Sequence, residues 1–196
     1  HDEGTAYVVV DNHKFGDDSP YIYRTTDNGD SWRMIIDGIP DYEFARVVRE
    51  DPQQSGLLYA GTERGLYVSF NQGDNWQPMQ FNLPAVPITD LKVQGNDLVM
   101  STQGRAFWIV DDISPLRQYA QDQQAANLHF YQPSVAYRYA AGNGGNIPPS
   151  TGPNPPVGAV FYYSLDADID FENENLKVEI LNAEGEVLRT IEADED

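Results

Sequence analysis

A polar turn that ends in tryptophan occurs twice in this chain and constrains its fold more than any other feature. The turn reads RTTDNGDSW at 24–32 and VSFNQGDNW at 68–76, and Thr25 lies 44 residues before its counterpart Ser69. A third segment, DLVMSTQGRAFWIVDD at 97–112, repeats the strands that precede the turn. Periods of about 40–45 residues that contain four short strands are typical of β-propeller blades.

Short apolar segments bounded by turn residues fill each repeat. The first copy predicts only three strands, because no strand precedes Thr5, and 115–126 is a possible helix. We predict an all-β chain with a partial β-propeller of about three four-stranded blades and an incomplete β-sandwich. Since propeller rings usually have about 4–8 blades, we expect the rest of the propeller or other chains to complete the ring. The second copy predicts strands at 44–50, 57–62, 66–70 and 76–81.

The composition changes near residue 140. The segment AAGNGGNIPPSTGPNPPVG is rich in glycine, proline and asparagine, which predicts a linker. Beyond it, alternating segments on either side of Ala183-Glu184-Gly185 predict a β-hairpin. We therefore assign 1–139 to the C-terminal blades of a propeller, 140–158 to the linker and 159–196 to the start of a sandwich.

The charge of the chain restricts its partners. The formal net charge is −19, from 12 Lys and Arg against 31 Asp and Glu, which excludes nucleic acid and an anionic membrane surface as expected partners. The chain has no run of 18 apolar residues, so we expect no membrane insertion. It has no cysteine, so disulfides and thiolate metal sites are excluded. The chain begins with His1 rather than Met, which favours a processed product or a fragment.

The repeated turn has a structural explanation. Asp27 can accept backbone N–H bonds across the turn, Gly29 supplies the positive φ, and Trp32 is expected to pack into the neighbouring sheet layer. In the second copy Asn71 replaces the acid, which a turn tolerates and a general acid would not. We therefore assign no catalytic residue to the turns. The structural set is Thr25, Asp27, Gly29, Ser31 and Trp32, with Ser69, Asn71, Gly73 and Trp76.

The turn at 25–32 resembles the Asp-box of bacterial neuraminidase repeats (BNR repeats), found in sialidases, Asp-box xyloglucanases and sortilin-type propellers. In those families the box lies on the outer rim of the propeller. The segments 49–84 and 101–118 look like the closing blades of large bacterial sortilin-like BNR proteins, often catalogued as glycosyl hydrolases. That resemblance implies an extracellular, cell-surface or periplasmic location. The C-terminal hairpin resembles immunoglobulin-like modules of the flagellar-hook-capping type.

The resemblance also points to candidate ligand-binding residues. Those proteins usually carry Thr-His-Gly-Arg where this chain has Thr102-Gln103-Gly104-Arg105, so any chemistry of that histidine is lost here. Two acidic doublets, Asp17/Asp18 and Asp111/Asp112, are candidates for a glycosidase pair. Adjacent acids on a strand point to opposite faces, so capping of turns is the favoured role. The candidate ligand-binding set is Arg105, Trp108, Asp111 and Asp112.

One acidic segment offers hard oxygen ligands for a cation. Asp166, Asp168 and Asp170 alternate along it, which makes Ca²⁺ binding possible. The order does not fit an EF-hand loop, and a solvated acidic turn is the favoured interpretation. We expect no other cofactor.

Three functions are compatible with these features. We favour a non-catalytic binding or scaffolding segment that presents loops to a protein or glycan ligand. The first alternative is part of a carbohydrate-active glycoside hydrolase, whose two carboxylates would face the central channel at a separation of about 5–9 Å. The second is a structural subunit of a cell-surface assembly, which would expose an open sheet edge or have that edge filled by a partner strand.

Overall fold

A computed structural model describes residues 2–121, 128–136, 158–165 and 177–192. Within these residues the strands form five small antiparallel sheets, and none of these sheets closes on itself. The prediction of an all-β chain is therefore confirmed.

The first sheet contains three strands, in the order β1-β2-β3. These strands are β1 (Ala6–Val9), β2 (Ile22–Thr25) and β3 (Arg33–Met34). A loop with one short 3₁₀ helix (His13–Phe15) connects β1 to β2. The repeated turn connects β2 to β3, so Asp27 and its neighbours lie at the end of a hairpin.

The middle sheet has four strands in sequential order. They are β4 (Ala45–Glu50), β5 (Leu58–Thr62), β6 (Leu66–Ser69) and β7 (Gln77–Pro78). The four predicted strands are confirmed, although β7 is shorter than the predicted 76–81. Pro78 lacks an amide hydrogen, which suits a short edge strand better than a long one. Every residue of β5 and β6 is buried, because this sheet is covered on both faces.

The third sheet has three strands, in the order β10-β9-β8. They are β8 (Ile88–Gln94), β9 (Asp97–Thr102) and β10 (Phe107–Val110). The helix α1 (Ser114–Gln121) follows β10 at the position where a fourth strand follows in the middle sheet. The possible helix predicted over 115–126 is thus present up to Gln121, and 122–127 lie outside the described residues.

Two apolar cores join the three sheets. The core between the first and middle sheets includes Ile22, Ile35, Leu58, Tyr67 and Trp76. The core between the middle and third sheets includes Tyr59, Leu66, Val68, Leu91 and Met100. The three sheets are therefore stacked face to face in sequence order, and the middle sheet is the most completely buried.

Two smaller sheets complete the described chain. The strand β11 (Leu128–Phe130) pairs with β12 (Tyr163–Leu165). The predicted C-terminal hairpin is confirmed as β13 (Lys177–Leu181) and β14 (Val187–Glu192). Most of the predicted linker at 140–158 lies outside the described residues, as do the candidate Ca²⁺ ligands Asp166, Asp168 and Asp170.

The described residues lack two kinds of feature. No helix among them combines the length and the apolar character needed to cross a membrane. In the same part of the chain, no group of three or more His, Asp or Glu side chains is arranged to hold a metal ion.

Candidate functional site

The first repeated turn is held together by the side chain of Asp27. Its carboxylate accepts hydrogen bonds from the Thr25 hydroxyl at 2.6 Å, the Ser31 amide at 2.9 Å and the Ser31 hydroxyl at 2.5 Å. The hydrogen bond from the Ser31 hydroxyl, followed by that from Thr25, lowers the pKa of Asp27 to about 2. Gly29 has a φ of +94°, a conformation that glycine adopts without strain. Asp27 is therefore an ionised acceptor inside a turn.

The second turn repeats this geometry with an amide in place of the acid. The Asn71 side-chain oxygen accepts from the Ser69 hydroxyl at 2.9 Å and from the Asn75 amide at 2.9 Å. The Gly73 amide donates to the Ser69 hydroxyl at 2.9 Å, as the Gly29 amide does to Thr25 at 3.0 Å. Since a neutral amide serves the same contacts, the turn does not require a proton-transfer group.

The two tryptophans of these turns differ in burial. Trp76 is 2% exposed, and its indole N–H donates to the Ile35 carbonyl of the neighbouring first sheet at 2.9 Å. Trp32 is 44% exposed and lines a shallow groove of about 280 Å³ with Val8 and Tyr23. The expected packing of Trp32 into a neighbouring sheet layer is therefore wrong for the described residues, whereas Trp76 does pack in this way. Within the described residues, no sheet covers Trp32 in the way that the first sheet covers Trp76.

The outer face of the first sheet carries apolar side chains at positions that are buried in the middle sheet. In both sheets the strand pairings have the same register: Val8 pairs with Tyr23 as Ala60 pairs with Tyr67. Ala60 and Tyr67 are buried against the preceding sheet. Their counterparts lie on the outer face, where Val8 and Met34 are exposed. We call this surface the leading face, defined by Val8, Tyr23, Trp32 and Met34.

The opposite end of the stack also exposes apolar side chains. Phe107 is 76% exposed and Ile109 is 55% exposed on β10. Pairing places them at the positions that Leu66 and Val68 occupy in the middle sheet, where both are buried against the third sheet. We call this surface the trailing face, defined by Phe107 and Ile109.

The structure does not bring the four predicted ligand-binding residues together. Arg105 lies in the turn before β10, whereas Asp111 and Asp112 follow the other end of that strand. A separation of six residues along a strand corresponds to roughly 20 Å. Trp108 packs against the core, and its indole N–H donates to the Arg105 carbonyl at 3.0 Å. Of the four residues, only Asp111 and Asp112 lie at the same site.

The two aspartates line a cleft of about 340 Å³ beside α1. Partial burial, followed by the negative charge of Asp97, raises the pKa of Asp111. Burial also raises the pKa of Tyr162, with further contributions from Asp112 and Asp111. The cleft therefore combines two carboxyl groups, of which that of Asp111 is the more exposed, with a phenol and apolar walls. Its lining includes Phe81, Ile109, Asp111, Asp112, Leu116 and Tyr162.

One member of each acidic doublet accepts a hydrogen bond within its own loop. The Asp112 carboxylate accepts from the Ser114 amide at 3.1 Å at the start of α1, and the Asp112 amide donates to Asp97 at 3.4 Å. The Asp17 carboxylate accepts from the Tyr21 hydroxyl at 2.7 Å, and this bond is the main reason why the pKa of Asp17 falls to about 2. These contacts are those of turn-capping carboxylates.

Sequence reasoning missed one buried polar cluster. Arg117 of α1 contacts the fully buried carboxylate of Asp51 through Nε at 2.9 and 3.0 Å. The same guanidinium donates to Asn96 and to the Gly95 carbonyl, each at 2.8 Å. The Tyr59 hydroxyl donates to Asp51 at 3.3 Å. The partners are 66 positions apart, and no local pattern in the sequence relates them.

Comparisons with known proteins give little further information. No protein-family model matches the chain, and no curated protein matches it. Among solved structures, the crystal structure of an ancestral GH74 enzyme is similar, with 18% sequence identity and a TM-score of 0.39. The alignment covers 53% of this chain and 14% of the GH74 enzyme.

Proposed function

We propose that this chain is a non-catalytic binding or scaffolding segment of a β-propeller protein of the BNR-repeat, sortilin-like type, located outside the cytoplasm. The observation that carries the proposal is the contrast between Trp76 and Trp32. At equivalent positions, one tryptophan is buried against a preceding sheet and the other is 44% exposed on an apolar face. A face with this composition is suited to be covered by another sheet.

The leading and trailing faces are complementary in kind. Within the stack, the side of the middle sheet that carries Leu66 and Val68 packs against the side of the third sheet that carries Leu98 and Met100. A trailing face is therefore expected to pack against a leading face in the same way. The rest of a propeller would supply both missing neighbours, and a second chain could do so head to tail.

Sedimentation velocity over a range of concentrations tests this packing. We expect the chain to associate reversibly, and Trp32→Glu and Ile109→Glu each to leave the chain monomeric when present alone. A mixture of the two variants retains one intact leading face and one intact trailing face, so it should form a dimer and nothing larger. Phe15→Glu, which changes an 87% exposed aromatic outside both faces, is the matched control. Association that is unaffected by Trp32→Glu would contradict the proposal.

The cleft beside α1 is the proposed contact for a glycan or protein ligand. Tyr162 and Phe81 offer ring surfaces, and Asp111 offers an acceptor for hydroxyl or amide donors. A glycan array and a set of extracellular peptides are the probes. Binding that is weakened by Asp111→Ala, without turnover of the ligand, would support this assignment.

A glycoside-hydrolase segment is the second candidate, favoured by the raised pKa of Asp111. A raised pKa is the direction in which enzymes shift the carboxyl group of a general acid. The second carboxylate that such an enzyme also needs is harder to assign, because Asp112 caps the start of α1. A polysaccharide hydrolysis screen decides between the two candidates. Turnover abolished by Asp111→Asn would favour the hydrolase and reject the non-catalytic proposal.

A further inference from the structure

We propose that the open edge of β1 binds an extended segment as the innermost strand of the first sheet, and that a carboxylate at the end of this segment accepts a hydrogen bond from Tyr7. The inference deepens the proposed scaffolding role, on which it rests, by stating the chemistry of the partner. It depends on three observations: the strand register, the direction of the β1 amides and the environment of the Tyr7 hydroxyl.

The register shows which strand the first sheet lacks. Tyr7 pairs with Arg24 as Tyr59 pairs with Val68, so β1 corresponds to β5 and β2 to β6. The middle sheet has β4 on the far side of β5, paired along its length. Among the described residues, the first sheet has no strand beyond β1. The missing position is that of β4.

The backbone of β1 offers hydrogen-bonding groups at this edge. The Val10 amide donates to the carbonyl of Tyr21, the residue directly before β2, at 3.0 Å. Because amide direction alternates along an antiparallel strand, the amides of Tyr7 and Val9 point away from β2. An extended segment can therefore add to β1 as β4 adds to β5.

The hydroxyl of Tyr7 marks where such a segment would end. In the middle sheet, the Tyr59 hydroxyl donates to Asp51, which directly follows β4. The Tyr7 hydroxyl is buried, and it has no hydrogen-bond partner in the described part of the chain. Burial and the charge of Glu50 raise its pKa to about 12, so it is a neutral donor. A buried donor without an acceptor is costly, and a carboxylate in the place of Asp51 would satisfy it.

These observations define the chemistry of the partner. It is a segment of about six residues that runs antiparallel to β1, contains β-branched side chains and has an aspartate or glutamate directly after its last paired residue. The segment 43–52 of this chain, EFARVVREDP, has this pattern and occupies the same position in the middle sheet. A synthetic peptide of that sequence is therefore a suitable probe.

Fluorescence anisotropy with the labelled 43–52 peptide tests the inference on the whole chain. We expect saturable binding that an unlabelled peptide competes and a scrambled peptide does not. Asp51→Ala in the peptide should weaken binding about tenfold, as expected for losing one hydrogen bond to a charged group. Tyr7→Phe in the protein should cause the same loss, and combining the two changes should cause little further loss.

A second protein variant tests the edge itself. Val9→Pro removes an amide that points to the open edge, and edge strands tolerate proline, so circular dichroism should be unchanged while peptide binding is lost. Peptide binding no tighter than that of the scrambled peptide would overturn the inference. The inference would also be overturned if Val9→Pro abolished self-association while the peptide did not bind. In that case a second copy of this chain would occupy the open edge of β1. If peptide binding fails while association stays sensitive to Trp32→Glu, only the strand site is rejected and the proposed function stands.

Discussion

Arg117 and Asp51 form an ion pair that is almost completely removed from solvent, with Nε of the arginine 2.9 Å from the carboxylate. The pair connects α1, which follows the third sheet, to the loop that follows β4 of the middle sheet. Both partners make further hydrogen bonds, so neither charge is buried without compensation. This contact fixes the orientation of the helix that borders the Asp111 cleft.

Arg117→Ala is expected to lower the free energy of unfolding by about 3–5 kcal/mol, because it leaves the carboxylate of Asp51 buried without its cation. Urea denaturation followed by circular dichroism measures the change. Arg33→Ala is the matched control, since Arg33 is exposed and its ion pair with Asp74, at 3.2 Å, should contribute about 0–1 kcal/mol. Equal losses for the two variants would show that the buried pair has no special role.

Replacement of the two turn tryptophans should have unequal effects on stability. Trp76→Ala empties a buried site and leaves the Ile35 carbonyl without its indole donor, so we expect a loss of about 3–5 kcal/mol. Trp32→Ala removes a half-exposed ring and should cost about 1 kcal/mol or less. The unfolding midpoints of the two single variants in guanidinium chloride provide the measurement. A loss at Trp32 as large as that at Trp76 would indicate that the leading face is covered in the isolated chain.

The sequence predicts the fold class because the short apolar strands and the turns between them are set by residues that are close in sequence. The strands of the middle sheet lie within a few residues of their predicted positions, and the hairpin at 177–192 follows from its alternating pattern and its turn. These features depend on neighbouring residues, so a single sequence contains them.

The arrangement of the candidate site was less predictable because it depends on distant contacts. Arg105 and Asp111 are close in sequence, but β10 separates them. Tyr162 joins Asp111 at the cleft although 51 positions separate the two residues, and Arg117 reaches Asp51 across the third and middle sheets. The exposure of Trp32 is also not a local property, since Trp76 has the same local sequence pattern and is buried.

The stability contribution of Asp27 should depend on pH. Its folded pKa is about 2, below the ordinary value of 3.8, so its contribution is present above about pH 4 and is lost as the pH falls toward 2. Asp27→Asn keeps an acceptor, as Asn71 does, but has no group to titrate. The difference in unfolding midpoint between the wild type and Asp27→Asn should therefore shrink between pH 4 and pH 2.

The matched control for this measurement is Asp30→Asn, which removes the same charge from an exposed position in the same turn. Its midpoint should differ from that of the wild type by a small and nearly constant amount over the same pH range. The lowered pKa of Asp17 is common to all three proteins, so it cancels in each difference. A wild-type midpoint that runs parallel to that of Asp27→Asn down to pH 2 would contradict the assigned role of the carboxylate.

The two turn glycines allow backbone strain to be separated from packing. Gly29 and Gly73 have φ values of +94° and +86°, so alanine is strained at both, by about 1 kcal/mol. An added Cβ at Gly29 would meet only the Trp32 ring at 3.9 Å, whereas at Gly73 it would lie 2.3 Å from Cδ1 of Ile35. We therefore expect Gly73→Ala to cost about 1–3 kcal/mol more than Gly29→Ala, because the first and middle sheets must separate or repack. Equal costs in urea denaturation would mean that Ile35 moves aside freely and that the contact between these sheets is loose at this turn.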